Sequence, residues 1–261
     1  MPHDHPQEST IAVIFVSLSL ALIAVVYVRG WISTANPAWR SGNFFMGLLA
    51  IWLAVASPLG TLDHAFLTVH MIQHLLLMTI APPLLFLGAG VLLLWRGLPE
   101  FARSLLRPLR YLPEVKPVFC WLAATIVLAA WHVPALFFLG MQSNGWHLFQ
   151  HASFFVTGLL FWWPVIRPWP SDTTRPGWPI VVYLFLATLP CDILSGFLVF
   201  SERVVYPAYL SSSTSLAVLS DQQCAGALMW TVVTLVYLVA GGILAAQLLS
   251  PQRDLQSVEV I

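Results

Sequence analysis

Long apolar runs separated by short polar segments dominate the pattern of the chain. A helix needs about 20 mainly apolar residues to cross a bilayer, and several runs reach that length. The pattern predicts an all-α fold, a polytopic membrane helix bundle that forms one integral membrane domain over residues 1–261. We predict seven transmembrane helices, at about 11–29, 43–57, 67–95, 117–136, 146–166, 178–199 and 222–249.

The composition supports a membrane protein. Hydrophobic residues make up 59% of the chain and charged residues only 8%, whereas roughly one quarter of a soluble domain is charged. The net charge is zero, so nothing indicates a nucleic-acid partner. The three cysteines are too widely spaced for a zinc or redox motif.

The basic residues predict the orientation of the bundle. Every Lys and Arg except Arg203 falls in loops or a tail on one side of the seven predicted helices. Such residues collect on the cytoplasmic side, so we expect the amino terminus outside and the carboxyl terminus in the cytoplasm. The basic segment 96–116 is expected to lie along the inner leaflet as an amphipathic cytoplasmic loop.

Histidines gather at the outer ends of the predicted helices. His70 and His74 lie near the start of the third helix, and His147 and His151 open the fifth. Residues four apart share one face of a helix, so each pair points in one direction. His132 ends the fourth helix on the same side. Because ionisable groups inside a membrane usually face a polar cavity, the pattern predicts an outward-facing histidine pocket.

A metal site is the leading interpretation of this pocket. The predicted metal ligands are His70, His74, His147, His151 and His132. Predicted to support them or to shape the entrance are Gln73, Asp63, Asp221 and Asp192. Some of these residues have structural alternatives, because His132 or Asp221 could serve a helix end and Asp192 could stabilise the kink at Pro190. Met71, Met78 and Met229 are expected to pack in the core.

The residues alone leave the metal open, since imidazole suits copper, zinc, iron and nickel. A haem held between the third and fifth helices is one alternative. A zinc-dependent transmembrane hydrolase acting near the outer leaflet is another, with Asp192 or Asp221 as its base. The sequence H-M-I-Q-H lacks the Glu of a zincin protease. A permease would need polar groups in the inner half, which the pattern does not provide.

Four motifs together resemble one known family. They are HMIQHLLLMTIAPPLLFLGAG in the third helix, WHVPALF at 131–137, the His147/His151 pair, and DQQCAGALMW at 221–230. Over about residues 40–250 the chain is similar to the CtaG-type assembly factor of caa-type cytochrome c oxidases. Cys224 stands where an aliphatic residue would be expected, and the sequence assigns it no role.

The resemblance implies a multi-pass protein of the bacterial plasma membrane that supports maturation of the catalytic subunit of a haem-copper oxidase. It implies a binding role and no enzyme activity. Combined with the histidine pocket, it favours copper as the ligand, with zinc or haem as alternatives. The expected partners are the oxidase catalytic subunit and the lipid bilayer.

Overall fold

The structure, a computed structural model, describes residues 6–34, 37–57, 59–107, 115–168, 177–211 and 214–250. Every regular element in this part of the chain is helical, so the all-α prediction is confirmed. The elements are α1 (Pro6–Ile32), α2 (Ala38–Val55), α3 (Leu59–Leu62), α4 (Leu67–Leu75), a π-helical segment (Leu76–Ile80), α5 (Ala81–Leu87), α6 (Gly90–Gly97), α7 (Glu100–Leu106), α8 (Pro117–His132), α9 (Pro134–Met141), α10 (Asn144–Ile166), α11 (Trp178–Phe200), a 3-10 helix (Pro207–Ser211) and α12 (Ser215–Leu249).

Five helical stretches within the described residues are long and apolar enough to cross a membrane: Val13–Ile32, Ala38–Val55, Leu67–Leu87, Trp178–Phe200 and Ser215–Leu249. The pair α8 and α9 would provide a sixth if it counts as one bent span. Helix α10 has 23 residues but does not meet the same apolar criterion. The seven-helix count and the orientation of the termini therefore remain predictions.

The third predicted helix is shorter than expected and is interrupted. We predicted one helix over 67–95, but the helix ends at Leu87 and α6 begins at Gly90. Between them, Ala89 adopts the left-handed conformation with φ 53°. A Cβ at Gly88 would lie 2.7 Å from the Cβ of Phe44, so the chain turns where it passes closest to α2.

A second irregularity lies just after His74. Pro82 and Pro83 have no N–H groups and cannot bond to the carbonyls of Met78 and Thr79, four residues earlier. The chain becomes π-helical over Leu76–Ile80, immediately before the two prolines. A Cβ at Gly158 of α10 would lie only 2.7 Å from the Met78 carbonyl oxygen. The glycine therefore lets α10 pack closely against this segment.

The fourth predicted helix, 117–136, also ends early. Helix α8 stops at His132, and Val133 is extended (φ −65°, ψ 126°) because it precedes Pro134. Helix α9 then leaves at 79° to α8. In contrast, the last helix begins earlier than the predicted residue 222, at Ser215. Asp221 consequently lies inside α12 and not before it.

The helices pack around two apolar cores. A small core joins α1, α2 and α6 through Tyr27, Phe44, Leu48 and Leu93. A larger core is formed mainly by α4, α8, α10, α11 and α12. Of the predicted basic loop 96–116, α7 exposes Phe101 and Leu105, as expected of a segment at a membrane surface. Residues 108–114 of that loop lie outside the described part.

Candidate metal centre

Two helices present the same motif side by side. His70-Met-Ile-Gln73-His74 in α4 and His147-Leu-Phe-Gln150-His151 in α10 both read H-x2-Q-H. The ring centroids of His70 and His147 are 5.4 Å apart, and those of His74 and His151 are 5.8 Å apart. A step of one helical turn from His70 to His74 is therefore paired with a step of one turn in the same direction from His147 to His151. The two helices run parallel with their motifs in register.

The four imidazoles form two layers. The first layer is His70 with His147, and the second layer is His74 with His151. Within each helix the two ring centroids lie 4.3 Å (α4) and 4.2 Å (α10) apart. The structure therefore brings together both histidine pairs that the sequence predicted. Each ring is a candidate ligand within one compact cluster.

These rings are buried without hydrogen-bond partners. Both ring nitrogens of His70 and His74 and the Nε2 atoms of His147 and His151 find none among the described residues. The side-chain amides of Gln73 and Gln150 are fully buried and equally unpartnered. Leaving one buried polar group unsatisfied costs about 1–3 kcal/mol. So many such groups in one place make the cluster a candidate ligand site.

Asp63 brings a carboxylate to the first layer. Its Oδ2 lies 3.6 Å from Nε2 of His147, and its Oδ1 lies 3.8 Å from Nε2 of His64. One ligand atom each from Asp63, His70 and His147 lie within 4.8 Å of one another. We refer to these three residues as the first-layer triad. We predicted Asp63 as an entrance or supporting residue, and its position makes it a candidate ligand.

The charge of Asp63 favours a cation. Burial raises the pKa of its carboxyl to about 6, although the neighbouring His64 opposes the rise. A buried carboxylate is costly unless it is paired or coordinates a metal. The Tyr209 hydroxyl donates to the Asp63 carbonyl at 2.9 Å and helps to hold this segment in place.

His132 joins the second layer with a defined tautomer. Its Nδ1 lies 2.7 Å from the carbonyl oxygen of Leu128, which can only accept a hydrogen bond. The neutral ring must therefore carry its proton on Nδ1 and keep the lone pair on Nε2. That Nε2 is buried and unpartnered. The His132 and His74 ring centroids are 6.4 Å apart, so His132 presents a ligand atom on the predicted side.

Asp221 caps the start of α4, although the two lie about 150 residues apart in the chain. Its carboxylate accepts hydrogen bonds from the backbone N–H groups of Leu67 (2.6 Å) and Thr68 (3.4 Å) and from the Thr68 hydroxyl (2.6 Å). The first residues of α4 have no side-chain cap of their own, and an acid there also complements the helix dipole. Asp221 thus fixes the helix end just before His70.

Asp192 lies apart from these contacts. Its Oδ1 accepts a hydrogen bond from the Thr234 hydroxyl of α12 at 3.2 Å. That contact links α11 to α12. The structure therefore gives Asp192 an interhelical hydrogen bond, and among the described residues no contact joins it to the histidines.

A loop covers the histidine cluster. It spans residues 201–211, between α11 and α12, and Tyr206 within it is buried and donates to the His132 carbonyl at 3.0 Å. Gln222 accepts from the N–H of Val205 at 2.7 Å and donates to the carbonyl of Arg203 at 3.2 Å. His64 remains 47% exposed beside the first layer. His64 therefore lies between the first layer and the protein surface.

Sequence reasoning missed several of these residues. The sequence pattern predicts no role for Gln150, Tyr206, Tyr209 or Gln222 and does not place His64 beside the cluster. One signal was available, because the second H-x2-Q-H motif repeats the first and points to Gln150. The tyrosine and Gln222 contacts join segments far apart in the chain and leave no local pattern.

Comparison with known proteins bears on the identity of this site. The family model described as Cytochrome c oxidase caa3 assembly factor (Caa3_CtaG) matches residues 22–250. The chain belongs to this family. The match includes both H-x2-Q-H motifs, Asp63, His132 and Asp221. The prediction of a caa-type oxidase assembly family, made from the motifs, is therefore confirmed.

Curated relatives are distant. The chain is 24% identical over 263 residues to the uncharacterized proteins Mb0105 of Mycobacterium bovis and MT0111 of Mycobacterium tuberculosis. It is also 24% identical over 252 residues to the uncharacterized protein ML1998 of Mycobacterium leprae. These matches cover 87–89% of this chain but only 37–39% of the relatives, so the chain spans about two fifths of their length. No solved structure matches the chain.

Proposed function

We propose that this protein is an assembly factor of the bacterial plasma membrane that binds copper in its histidine cluster and supplies it to the catalytic subunit of a haem-copper cytochrome c oxidase. The protein acts as a carrier and carries out no catalytic turnover. In this proposal the histidine cluster faces the outside, in keeping with the basic residues of the opposite loops. Copper is the cargo and is passed on by ligand exchange.

The observation that carries the proposal is the pair of in-register H-x2-Q-H motifs with their buried, unpartnered ring nitrogens. Imidazole is a good ligand for copper. The Asp63 carboxyl group beside His70 and His147 adds an oxygen ligand that can carry negative charge. Membership of the oxidase assembly family supplies the expected recipient, which itself needs copper.

The layered arrangement suits a carrier. A cation held by the first-layer triad lies beside the exposed His64 and, in the other direction, next to the second layer. More candidate ligands are present than one copper ion needs at a time, so single ligands can be exchanged without releasing the ion. Gln73 and Gln150, buried within the same motifs, are positioned to orient the rings by hydrogen bonding once a metal fixes their tautomers.

The first test measures metal content. Detergent-purified protein is loaded with copper, and wild type is compared with a His70→Ala/His147→Ala double variant. An Asp192→Asn variant serves as the control, because its side chain bonds to Thr234 and not to the cluster. We expect the double variant to bind less copper than wild type and the control to match wild type. Equal copper content in all three proteins would contradict the proposal.

The second test follows the oxidase. A strain carrying only the double variant should assemble an oxidase whose catalytic subunit is low in copper, while a strain with the Asp192→Asn protein should assemble a normal one. Added copper in the medium should partly restore the oxidase if supply is the missing step. A copper-replete oxidase in the double-variant strain would indicate that the protein acts through protein contacts alone.

The hydrolase alternative retains one supporting observation. Two histidines and an aspartate, as in the first-layer triad, are also ligands that zinc accepts with a position left for water. The aspartates first considered as its base are both occupied, Asp221 at the start of α4 and Asp192 with Thr234. Zinc in the mildly purified protein, with a lipid esterase or amidase activity lost in Asp63→Asn, would favour this alternative.

A further inference from the structure

A small cavity borders the second histidine layer on the side away from the first. It has a volume of about 40 Å³ and reaches His74 and His132, whereas neither His70 nor His147 lines it. Half of the six methionines in the chain line it, namely Met71, Met78 and Met229. The cavity therefore continues the histidine cluster further into the bundle.

The methionines reach the cavity from two helical stretches. Met78 lies in the π-helical segment, four residues after His74, and Met71 lies three residues before His74. Met229 comes from α12, on the opposite wall. All three are buried, with exposed fractions of 0% for Met71, 8% for Met78 and 3% for Met229.

Two residues with unpartnered nitrogens line the same cavity. Both ring nitrogens of His74 and the Nε2 of His132 lack hydrogen-bond partners among the described residues, and both rings line the cavity. Packing of apolar side chains does not require such groups, and their burial is costly. A ligand that binds both sulfur and imidazole would satisfy them.

We propose that this cavity is a second copper site, specific for Cu(I), whose ligands are the thioether sulfurs of Met71, Met78 and Met229 with the imidazole of His74. Soft thioether ligands select Cu(I). The inference rests on the proposed function, because the ion reaches the cavity from the first layer. All four ligands are neutral, and the copper stays in its reduced state. Binding therefore needs no proton or electron transfer.

The sulfur ligands distinguish this site from the first-layer triad. The triad offers only nitrogen and oxygen, whereas the cavity offers mainly sulfur. Cu(I) bound in the cavity is shielded from water and from oxidation, which suits storage before delivery. The two sites thus differ in chemistry that can be measured directly.

The test uses the full-length protein in detergent, loaded with Cu(I) anaerobically with ascorbate and without thiol reductants. Metal analysis gives the copper content, and X-ray absorption at the copper edge reports sulfur neighbours. Wild type should bind about two copper ions per chain with clear sulfur scattering. A Met71→Leu/Met78→Leu/Met229→Leu variant should lose about one ion and the sulfur signal. Leucine nearly conserves the methionine volume, so the fold should be retained.

Two comparisons complete the design. A Met46→Leu/Met141→Leu variant changes methionines that do not line the cavity and should match wild type. The His70→Ala/His147→Ala variant should retain copper with sulfur neighbours. Copper with only nitrogen and oxygen neighbours in wild type would overturn the second site and leave the proposed function standing. Sulfur scattering that persists in the triple variant would also overturn it, and a wild type without copper would refute both proposals.

Discussion

Tyr27 and His70 are both fully buried aromatic side chains with polar atoms, but the bundle treats them differently. The Tyr27 ring stacks on Phe44 with centroids 3.7 Å apart, and its hydroxyl donates to the Gly88 carbonyl at 2.9 Å. The ring nitrogens of His70 have no partner among the described residues. In the small core of α1, α2 and α6 the buried Tyr27 hydroxyl is satisfied by a hydrogen bond within the protein. In the histidine cluster the buried ring nitrogens of His70 have no such bond and remain available to a ligand.

The two regions also differ in how closely their backbones approach. A Cβ on Gly30 of α1 would overlap the Leu93 carbonyl of α6, and one on Gly97 would overlap the Val26 carbonyl. The small core is therefore packed to the limit at this crossing. Both regions border a cavity, but the cavity beside Phe44 and Leu48 is lined by apolar side chains, whereas the one beside the histidine cluster includes His74 and His132 in its lining. The α1–α6 crossing is built for close packing, and the histidine cluster leaves buried polar groups unsatisfied.

The largest effect is expected at the crossing of α1 and α6. A Gly97→Val substitution forces a side chain against the Val26 carbonyl and should lower the free energy of unfolding by about 3 kcal/mol or more. Thermal unfolding in detergent measures the loss. Gly42→Ala in α2, where a Cβ meets nothing within 4 Å, should leave the melting temperature nearly unchanged. Similar melting temperatures for the two variants would refute the close contact.

The next effect concerns the charge in the histidine cluster. Asp63→Asn keeps the size of the side chain but removes the negative charge beside His70 and His147. We expect copper affinity to fall about 100-fold, which corresponds to about 2.8 kcal/mol. Competition with a chromophoric Cu(I) chelator measures it. Tyr27→Phe, in the other region, should bind copper like wild type. An unaffected Asp63→Asn protein would remove Asp63 from the ligand set.

A smaller effect is expected where a long-range contact positions the cluster. Asp221→Ala removes the cap on the first N–H groups of α4 and should lower the free energy of unfolding by about 1–2 kcal/mol. Because His70 follows directly, copper affinity should fall as well. Asp192→Ala removes a single hydrogen bond and should leave copper affinity unchanged. If Asp192→Ala weakened copper binding as much as Asp221→Ala, the positioning role would be wrong.

The smallest effects should have opposite signs in the two regions. Tyr27→Phe leaves the Gly88 carbonyl without its donor and should destabilise the metal-free protein by about 1 kcal/mol. His74→Leu removes two unpartnered buried nitrogens and should stabilise it by about 1 kcal/mol, because no hydrogen bond is lost. Chemical unfolding without metal measures both. Destabilisation by His74→Leu would show that its ring is structural.

The features that could be predicted from the sequence are those that depend on the spacing of nearby residues. Helical spacing alone brought His70 to His74 and His147 to His151, and apolar length gave the membrane helices. Most of the features that could not be predicted depend on contacts between residues far apart in the chain. The early end of the fourth helix is an exception, because Pro134 after Val133 is a local signal for it. The Asp221 carboxylate, in contrast, bonds to residues about 150 positions earlier in the chain, and the end of the third helix depends on how Gly88 meets Phe44. Such contacts arise only when the helices pack.

The register of α4 with α10 would affect how fast a bound metal ion could move along the histidine cluster. The ring centroids lie 4.3 and 4.2 Å apart along the two helices and 5.4 and 5.8 Å apart across them. The four rings thus form a compact ladder whose steps along the helices are shorter than the steps across. If copper binds as proposed, an ion would move by short hops between neighbouring imidazoles, and no helix would have to shift. Its transit time would then follow the lifetime of a single metal–imidazole bond.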